Sequence, residues 1–267
     1  HLGWYIKQLK INNKKVFLRA HNVEHNYYNQ LGNVEHNRLK KIFYKLEASK
    51  LKNFEKVINN CYEIFSVSEN DNNYFKKNYK KATLVSPFHS NDKVKSLEGL
   101  GSYALYHGNL SVVENVKAVE FLIDNVFENL DCELFIAGRN PSNTLREKIS
   151  QFKNIKLFEN PSEKELFNLI QNAQVNVLPT FQATGLKLKL VAALFAGRHC
   201  LVNNSMIAGS GVNKSIVLCN NANEWKTNLL KLMIEPFDKE MISLRAKDVL
   251  HFSNKKNAIK LIETIFG

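Results

Sequence analysis

The segment Thr184-Gly-Leu-Lys-Leu-Lys-Leu-Val-Ala-Ala-Leu-Phe-Ala-Gly-Arg198 combines a glycine, two lysines and an apolar run within a few turns of chain. An apolar run that ends at Pro179 precedes it, and a second run, Cys200-Leu-Val-Asn203, follows it. This order predicts a strand, a loop, a short helix and another strand. Such units build parallel sheets with helices on their faces, so the segment indicates an α/β fold.

Gly185 lies where the predicted loop turns into the helix, and Lys187 and Lys189 follow it closely. A helix N-terminus offers unpaired backbone N–H groups and a partial positive charge, so it attracts phosphate. Cations are unfavourable at that end, where a structural cap would favour Asp or Glu. A bound anion would account for the two lysines. The alternative is a surface helix with two solvated lysines.

Strands and helices alternate through the second half of the chain. The predicted strands are 103–107, 132–137, 155–158, 175–178, 200–202 and 216–219. The other predicted helices are 112–129, 143–151, 162–173, 221–233 and about 254–266. This alternation predicts a doubly wound parallel sheet. Ligands of such sheets bind at the carboxyl ends of the strands. One edge is therefore expected to collect Gly108, Gly138-Arg139, Asn160 and the segments 180–189 and 203–211.

The first half shows a shorter version of the pattern. Strands are predicted at 16–19, 62–67 and 82–85, and helices at 4–11, about 35–59 and 69–79, the last capped by Ser68. Residues 20–28 are predicted to form a polar loop, and 88–101 a linker without periodicity. The long helix is predicted to carry an apolar face, with lysines on the opposite side. The residues of this face are Leu39, Phe43, Leu46, Leu51, Phe54 and Ile58.

Size, charge and cysteine content limit the classes of function that the chain can have. The 267 residues are 44% hydrophobic, enough for two compact units, and carry a formal net charge of +12. No apolar run approaches the roughly 20 residues that span a bilayer. The charge predicts attraction to an anionic partner, although a general excess of Lys and Asn is the alternative. The basic residues are scattered rather than clustered with aromatic residues, so nucleic acid is not predicted as a partner. Four separated cysteines favour buried free thiols in a reducing compartment.

Several motifs occur in an order that resembles a known family. In the second half they are Tyr106-His-Gly-Asn109, Phe135-Ile-Ala-Gly-Arg139, Val175-Asn-Val-Leu-Pro179, Gly185-Leu-Lys-Leu-Lys189 and Ala193-Leu-Phe-Ala-Gly197. Their order resembles the C-terminal half of a group 1 glycosyltransferase of the GT-B fold. In the first half, Arg19-Ala-His-Asn-Val-Glu-His-Asn-Tyr-Tyr28 and Leu46-Glu-Ala-Ser-Lys-Leu51 resemble a mannosyltransferase-like subgroup acting on bacterial surface polysaccharides.

The resemblance implies an α/β protein with two Rossmann-like doubly wound parallel-sheet domains, the N-terminal one incomplete. The expected division is 1–102 on the acceptor side, 103–250 for the nucleotide sugar, and a C-terminal helix within 251–267 that packs back on the first domain. The chain starts at His1, without an initiator Met or the basic region of a signal peptide. It also lacks the Gly-rich loop and several βα units that open the family's N-terminal domain, so it is expected to start partway through that domain.

A second departure concerns the family's Glu-x7-Glu motif. Alignment on Ala193-Leu-Phe-Ala-Gly197 puts Thr184 and Ala192 at the two Glu positions, so both acids are missing. Alanine cannot accept a hydrogen bond from a ribose hydroxyl, and threonine supplies no full negative charge to an oxocarbenium-like transition state. A non-catalytic relative that binds a nucleotide sugar or acts as a scaffold is therefore the alternative to an active enzyme.

For the donor, the resemblance implies a diphosphate held by cations and a helix N-terminus rather than by a metal. Lys189, which matches the subgroup's basic position, is the favoured ligand, with Lys187 as auxiliary and the Gly185 amide and Thr184 nearby. Arg139 is a further candidate, or else a surface arginine. In the family, an Arg and a Lys that follow the first strand of this domain clamp the diphosphate. Here Asn109 and Asn115, which follow Gly108, occupy those two positions. No acidic pair of the metal-binding kind follows a strand, so neither a metal nor a cofactor is predicted.

Across the cleft, His21 is predicted to face the donor sugar, with Glu24 as an acceptor base or as its orienting group. Local hydrogen bonding is the alternative, and a zinc site built on His21 and His25 is a third reading. The resemblance also implies a sugar-contacting loop with Asn203, Gly209 and Gly211, for which an ordinary turn cluster is the alternative.

Together these features predict a retaining, metal-independent glycosyltransferase. It would move a hexose from a nucleotide-diphosphate sugar to a surface-polysaccharide or glycolipid acceptor in the bacterial cytoplasm. Peripheral contact with an anionic membrane is expected at the inner face, through Lys76, Lys77, Lys80 and Lys81.

Overall fold

A computed structural model describes residues 3–35, 37–182 and 185–267. Within them the strands are β1 (Phe17–Ala20), β2 (Glu63–Ser66), β3 (Thr83–Leu84), β4 (Ala104–Asn109), β5 (Leu134–Arg139), β6 (Ile155–Glu159), β7 (Val175–Leu178), β8 (His199–Val202) and β9 (Val217–Leu218). The first helices are α1 (Gly3–Ile11), α2 (Glu24–Val34), α3 (Arg38–Glu55), α4 (Glu69–Tyr79), α5 (Val113–Leu122) and α6 (Asn143–Ser150). The later ones are α7 (Glu163–Asn172), α8 (Leu188–Ala196), α9 (Asn204–Ile207), α10 (Ala222–Ile234), α11 (Lys239–Asp248) and α12 (Asn254–Phe266).

The second unit is a six-stranded sheet in the order β6-β5-β4-β7-β8-β9, and every pairing is parallel. Helices cover both faces, which explains why β7 and β8 are buried at every position. The strand order reverses between β4 and β7, because the chain winds outward from these two neighbours in opposite directions. Ligands of doubly wound sheets bind in the crevice at this switch point.

The first unit is a three-stranded parallel sheet, β1-β2-β3. Its core holds Ile64, Phe75 and Ala82. The predicted cap of α4 is present, since Ser68 Oγ accepts a hydrogen bond from the backbone N–H of Asp71 at 3.2 Å. The two parallel sheets give the protein the predicted α/β class with Rossmann-like units.

The predicted loop at 20–28 is wrong, because α2 begins at Glu24. The preceding residue, Val23, is the N-cap, and its side chain makes no capping hydrogen bond. The backbone N–H of Val23 instead donates to Asp71 Oδ1 at 3.3 Å, from α4 of the same unit. The helix start thus depends on a tertiary contact, and a local pattern of polar residues could not reveal it.

The apolar face predicted for the long helix is packed only in part. Leu51 and Phe54, in the C-terminal half of α3, are half-buried, whereas Leu39, Phe43 and Leu46 are exposed. The N-terminal half packs through another face, where Gly32 of α2 lies against Tyr44: a Cβ at Gly32 would come within 3.3 Å of Tyr44 Cβ. Helix α11 was not predicted; it carries Arg245, which is fully buried.

The segment between the units and α12 ties them together. Gly99 and Phe237 exchange backbone hydrogen bonds of 2.9 and 3.0 Å. Lys260 of α12 donates to the backbone oxygen of Leu84 at 2.8 Å, and Asn257 accepts from the backbone N–H of Ser86 at 3.1 Å. Helix α12 therefore contacts the end of β3 in the first unit. The domain boundaries at 102 and 250 stay a prediction.

Candidate functional site

The β4–β7 crevice brings α8 against the residues that follow β4. Lys187 is the N-cap of α8, and the helix begins at Leu188. Lys189 therefore lies in the first helical turn, whereas Lys187 is still in the loop. The two lysines can approach one ligand from the loop and from the helix, although on a regular helix they would point to different sides.

The ammonium of Lys189 is held by two neutral groups. Its Nζ donates to Asn115 Oδ1 at 2.6 Å and to the hydroxyl of Tyr106 at 2.9 Å. It also lies 4.6 Å from the centre of the Tyr106 ring, in the geometry of a cation–π contact. The Tyr106 side chain is fully buried, so this contact fixes the ammonium against the end of β4.

No carboxylate of the described residues forms an ion pair with Lys189. Burial, and to a lesser degree the charge of Lys187, lower the pKa of Lys189 to about 8. Burial also lowers the pKa of Lys187, against the attraction of Glu114 and Asp71. Withdrawing the Lys189 ammonium from water without a carboxylate partner is costly, even for a half-buried side chain, so this crevice favours an anionic ligand.

Gly108 leaves the space that the ammonium fills. A Cβ at Gly108 would lie 2.9 Å from Lys189 Nζ and 3.2 Å from Asn115 Cγ. Asn115 Nδ2 donates to the backbone oxygen of Asn109 at 2.8 Å, which orients its Oδ1 toward the lysine. The side chain of Asn109 accepts from Ser111 and is engaged in its own turn. The predicted residues Gly108, Asn115 and Lys189 thus form one cluster, the lysine cluster, with Tyr106.

His107 also lies at this edge of the sheet. It belongs to the motif Tyr106-His-Gly-Asn109, but the sequence predicts no role for it. Only 4% of its surface is exposed, and its Nε2 has no hydrogen-bond partner among the described residues. Burial, and to a lesser degree the charge of Lys189, lower its pKa to about 3. The imidazole is therefore neutral near pH 7. A polar residue directly before a glycine at the end of a central strand was the available signal.

The structure corrects the place of Gly185. It does not start α8 but lies in the preceding loop with φ = +65°, which favours glycine. A Cβ there would come within 2.6 Å of Asn22 Oδ1, so the loop closely approaches the segment after β1. Lys187 Nζ donates to the backbone oxygen of Gly185 at 3.3 Å. Thr184 lies outside the described residues.

His21 and Glu24 follow β1 at its carboxyl end, and both are exposed. His25 is buried, with Nδ1 2.9 Å from Glu55 Oε2. The other oxygen of Glu55 accepts from the hydroxyls of Tyr74 and Tyr79, at 2.6 and 2.7 Å. His25 thus belongs to a polar network inside the first unit. No group of three His, Cys, Asp or Glu residues that could hold a metal occurs within the described part of the chain.

The remaining predicted residues lie around the same edge. Arg139 ends β5 beside Asn109 and is exposed. Asn203 caps α9, and its Nδ2 donates to the backbone oxygen of Thr180 at 2.7 Å, which joins the ends of β7 and β8.

The two glycines of the predicted sugar loop have φ = +71° and face the first unit. The backbone oxygen of Gly209 accepts from Glu69 at 3.1 Å, and a Cβ at Gly211 would lie 2.8 Å from Glu69 Oε1. This close approach accounts for glycine at both positions. Their contact with a sugar stays a prediction.

The basic residues expected at a membrane are not equivalent. Lys76, Lys77 and Lys80 are exposed on or after α4. Lys81 is half-buried, and its Nζ donates to the backbone oxygen of Asn59 at 3.0 Å. Among residues 3–35, 37–182 and 185–267, no helix has both the length and the apolar composition needed to cross a bilayer.

Residues 101–235 match the family described as glycosyl transferases group 1. The match covers just over half of the chain and includes the lysine cluster. The chain belongs to this family. In this group 1 member, Ala192, which the sequence resemblance aligns with the second motif Glu, packs against the cluster of Leu105 and Ala137 on one face of the sheet.

Known structures share the fold at low sequence identity. Sucrose-phosphate synthase from Thermosynechococcus elongatus superposes with a TM-score of 0.73 at 12% identity, covering 98% of this chain and 70% of that one. HepE from Anabaena, in complex with UDP and glucose, gives 0.67 at 11% identity over 97% of this chain and 73% of HepE. TarM from S. aureus, in a complex that includes UDP, gives 0.67 at 11% identity over 96% of this chain and 51% of TarM.

A curated relative comes from Klebsiella pneumoniae and is described as an uncharacterized 44.6 kDa protein in the cps region. It is 25% identical over 229 residues, which are 80% of this chain and 58% of the relative. The chain therefore spans little more than half the length of this relative and of TarM.

Proposed function

We propose that the lysine cluster binds the diphosphate of a nucleotide sugar and that the protein transfers the sugar to a carbohydrate or glycolipid acceptor. The observation that carries this proposal is the half-buried Lys189 ammonium, which lies at the switch point of the sheet and is bonded to two neutral groups. A diphosphate would supply the missing counter-charge. It would also be reached by the backbone N–H groups at the start of α8.

In the transfer step, negative charge grows on the leaving diphosphate as the bond to the sugar breaks. Lys189, and Lys187 from the loop, would stabilise that charge. Two ammonium groups can do this without a divalent ion, which supports a metal-independent mechanism. Retention of configuration at the sugar is inferred from the family resemblance alone. His21 and Glu24, at the end of β1, are proposed to face the sugar and the acceptor hydroxyl.

UDP is the first nucleotide to test, because HepE and TarM are both described as complexes with UDP. The relative from a cps region supports a surface-polysaccharide acceptor. Membership of the mannosyltransferase-like subgroup, a cytoplasmic location and peripheral membrane contact remain expectations from the sequence and the family resemblance.

A non-catalytic nucleotide-sugar-binding protein is the second candidate. It is favoured by the absence of an acid: the family resemblance aligns Ala192 with a motif Glu, and this half-buried methyl group packs against the sheet. An enzyme would then need another group for the electrostatics of the transition state.

Two measurements on the chain separate these proposals. Calorimetric titration with UDP, GDP and ADP tests the donor site, and liquid chromatography of UDP-glucose, UDP-N-acetylglucosamine and GDP-mannose incubated with the protein detects slow hydrolysis. Binding with hydrolysis supports the transferase, and binding without hydrolysis supports the second candidate. Absence of binding for all three nucleotides would refute the donor site.

A further inference from the structure

A cavity of about 260 Å³ lies at the edge of the second sheet opposite the β4–β7 crevice. It is placed where β8 and β9 begin, between the end of α10 and α11. Much of its wall is apolar and includes Val217, Leu232, Phe237 and Met241. This cavity is here named the rear pocket. Because ligands of the sheet bind at the carboxyl ends of the strands, the rear pocket is separate from the donor site.

A fully buried arginine lines the rear pocket. The Arg245 side chain, on α11, is 1% exposed. Among the described residues its Nη atoms donate to neutral acceptors, which are the backbone oxygens of Gly197 and Ser215 and the hydroxyl of Ser96. Its Nε has no partner in the same part of the chain, and the Phe237 ring centre lies 4.6 Å from the guanidinium carbon. A full positive charge is therefore held inside the protein by neutral groups, with one donor unused.

The carboxylates near the rear pocket do not pair with this charge. Asp248 attracts the guanidinium, but its Oδ2 accepts from the backbone N–H groups of Lys214 and Ser215, both at 3.0 Å, and from the Ser215 hydroxyl at 2.8 Å. Its distance to that hydroxyl fixes the loop before β9. Glu235 lines the pocket, yet within the described ranges neither acid forms an ion pair with Arg245.

Two lysines add positive charge to the rear pocket. Lys214, in the loop before β9, and Lys231, near the end of α10, both line it and are exposed. Neither has an ion-pair partner in the part of the chain that the structure describes. His199 also lines the pocket, but burial lowers its pKa, so it is neutral near pH 7. The pocket thus carries a net positive charge, which favours an anion.

A purely structural role of Arg245 explains part of this arrangement. Gly197 is the C-cap of α8, and a cation is favourable at the C-terminal end of a helix. The arginine therefore holds the end of α8 and the start of β9 in place. That role accounts for the contacts of its Nη atoms. It leaves open why a cavity remains beside a buried charge, since protein interiors are close-packed, and why two lysines line it.

We propose that the rear pocket is a second ligand site, for a small phosphomonoester with an apolar body. Lys214 and Lys231 pair with the phosphate, and the charge of Arg245 attracts it from inside the protein. Phe237 and Met241 contact the apolar body. A phosphate dianion suits three cations better than a carboxylate does. This ligand takes no part in sugar transfer, because it lies at the amino ends of the strands, and the inference holds whether or not the donor-site proposal is right.

The test is calorimetric titration with phenyl phosphate, carried out on Lys189→Met so that the lysine cluster contributes little to binding. Adding Lys214→Gln/Lys231→Gln should weaken the affinity at least about tenfold, because two charge-assisted contacts are lost. Lys239→Gln/Lys247→Gln is the matched control. It removes the same charge from exposed positions of α11 that do not line the pocket, and should leave the affinity unchanged.

A second pair of variants tests the site without removing a cation. Leu244 lines the rear pocket and is 40% exposed, so it can be changed without disturbing the core. Leu244→Glu should abolish binding of phenyl phosphate by repulsion, whereas Leu244→Gln should retain most of it. Urea unfolding of both variants, expected to match the parent, shows that the fold is intact.

Probes of other chemistry define the ligand. Phenol lacks the charge and should not bind, and inorganic phosphate and benzoate should bind more weakly than phenyl phosphate. No binding of phenyl phosphate, or equal binding by the double lysine variant and its control, would overturn the proposal. Equal affinity for phenol would show an apolar cavity only and would also overturn it. The UDP affinity of Lys214→Gln/Lys231→Gln, with Lys189 intact, should equal that of the parent, which separates this site from the donor site.

Discussion

Lys189 Nζ lies 2.6 Å from Asn115 Oδ1. The family resemblance assigns a lysine to position 115, where this chain has a neutral amide. In the structure this amide accepts a hydrogen bond from an ammonium of α8. The positive charge expected after β4 is therefore present at the crevice but belongs to another element.

The contact between Lys189 and Asn115 predicts what happens when the lysine is moved from position 189 to position 115. Lys189→Asn should lose most of the nucleotide affinity, roughly ten- to hundredfold, because one charge-assisted bond to phosphate is removed. The double variant Asn115→Lys/Lys189→Asn should recover most of it, since an ammonium returns to the same point. The affinities are measured by calorimetric titration with UDP. A double variant no better than Lys189→Asn would show that the helix position, and not the charge alone, is required.

Binding should weaken at alkaline pH. Because the pKa of Lys189 is lowered to about 8, Lys189 of the ligand-free protein loses its proton above that pH. Binding of an anionic ligand to the charged form must then be accompanied by uptake of a proton from solution. The affinity for UDP-glucose should be nearly constant below pH 7.5 and fall toward about tenfold per pH unit above pH 8. In Lys189→Met this dependence should be absent. The same slope in that variant would assign the titration to another group.

Glycines at the ends of β4 and β5 should respond differently to an added methyl group. Gly108→Ala meets the flexible end of Lys189 at 2.9 Å, so the ammonium must move, and UDP affinity should fall about tenfold with little loss of stability. Gly138→Ala would overlap the backbone oxygen of Gly108, which cannot move easily, and should destabilise the protein by roughly 1–3 kcal/mol. Urea unfolding and titration of both variants test this pair. Unchanged UDP affinity in Gly108→Ala would argue against the position of the ammonium.

His107 should make the protein sensitive to acid. Burial lowers its folded pKa to about 3, so below its ordinary pKa the unfolded chain binds a proton that the folded protein does not. The stabilising contribution is complete above about pH 6.5 and is lost progressively as the pH falls toward 3. His107→Leu should therefore gain stability relative to the parent on acidification, on the order of 3 kcal/mol by pH 4. Parallel stability curves for the two proteins between pH 7 and pH 4 would contradict this.

The sheet of the second unit was predictable because its strands are short apolar runs separated by helices with clear caps. The capping box of α7, for example, occurs in the structure with both hydrogen bonds. The start of α2 was not predictable, since it depends on a contact between Val23 and Asp71, far apart in sequence. The outward direction of Leu39 and Phe43 was also hidden, because periodicity identifies an apolar face but not what covers it.

In the candidate site, the sequence identified Lys189, Gly108 and Asn115 separately, from a motif and from the ends of strands. It could not show that they touch, because the contact joins residues 74 positions apart. It also gave no role to Tyr106 and His107, whose importance comes from burial. The sequence predicts Gly185 at the helix start, because it stands between the predicted loop and the apolar helical run. Its φ and its close approach to Asn22 instead fit a turn against the first unit.

The most direct test of the donor site compares Lys189→Met with Lys187→Met in two measurements, the UDP affinity and the free energy of unfolding at pH 7. The pKa of Lys189 is about 8 in the folded protein, below the ordinary pKa of a lysine in the unfolded chain. At pH 7 the side chain is charged in both states, and the lowered pKa means that this charge destabilises the folded, ligand-free protein. Lys189→Met should therefore be more stable than the parent by about 1–3 kcal/mol while losing roughly ten- to hundredfold in UDP affinity. Lys187→Met should lose less affinity. A Lys189→Met protein that binds UDP as tightly as the parent would contradict the account.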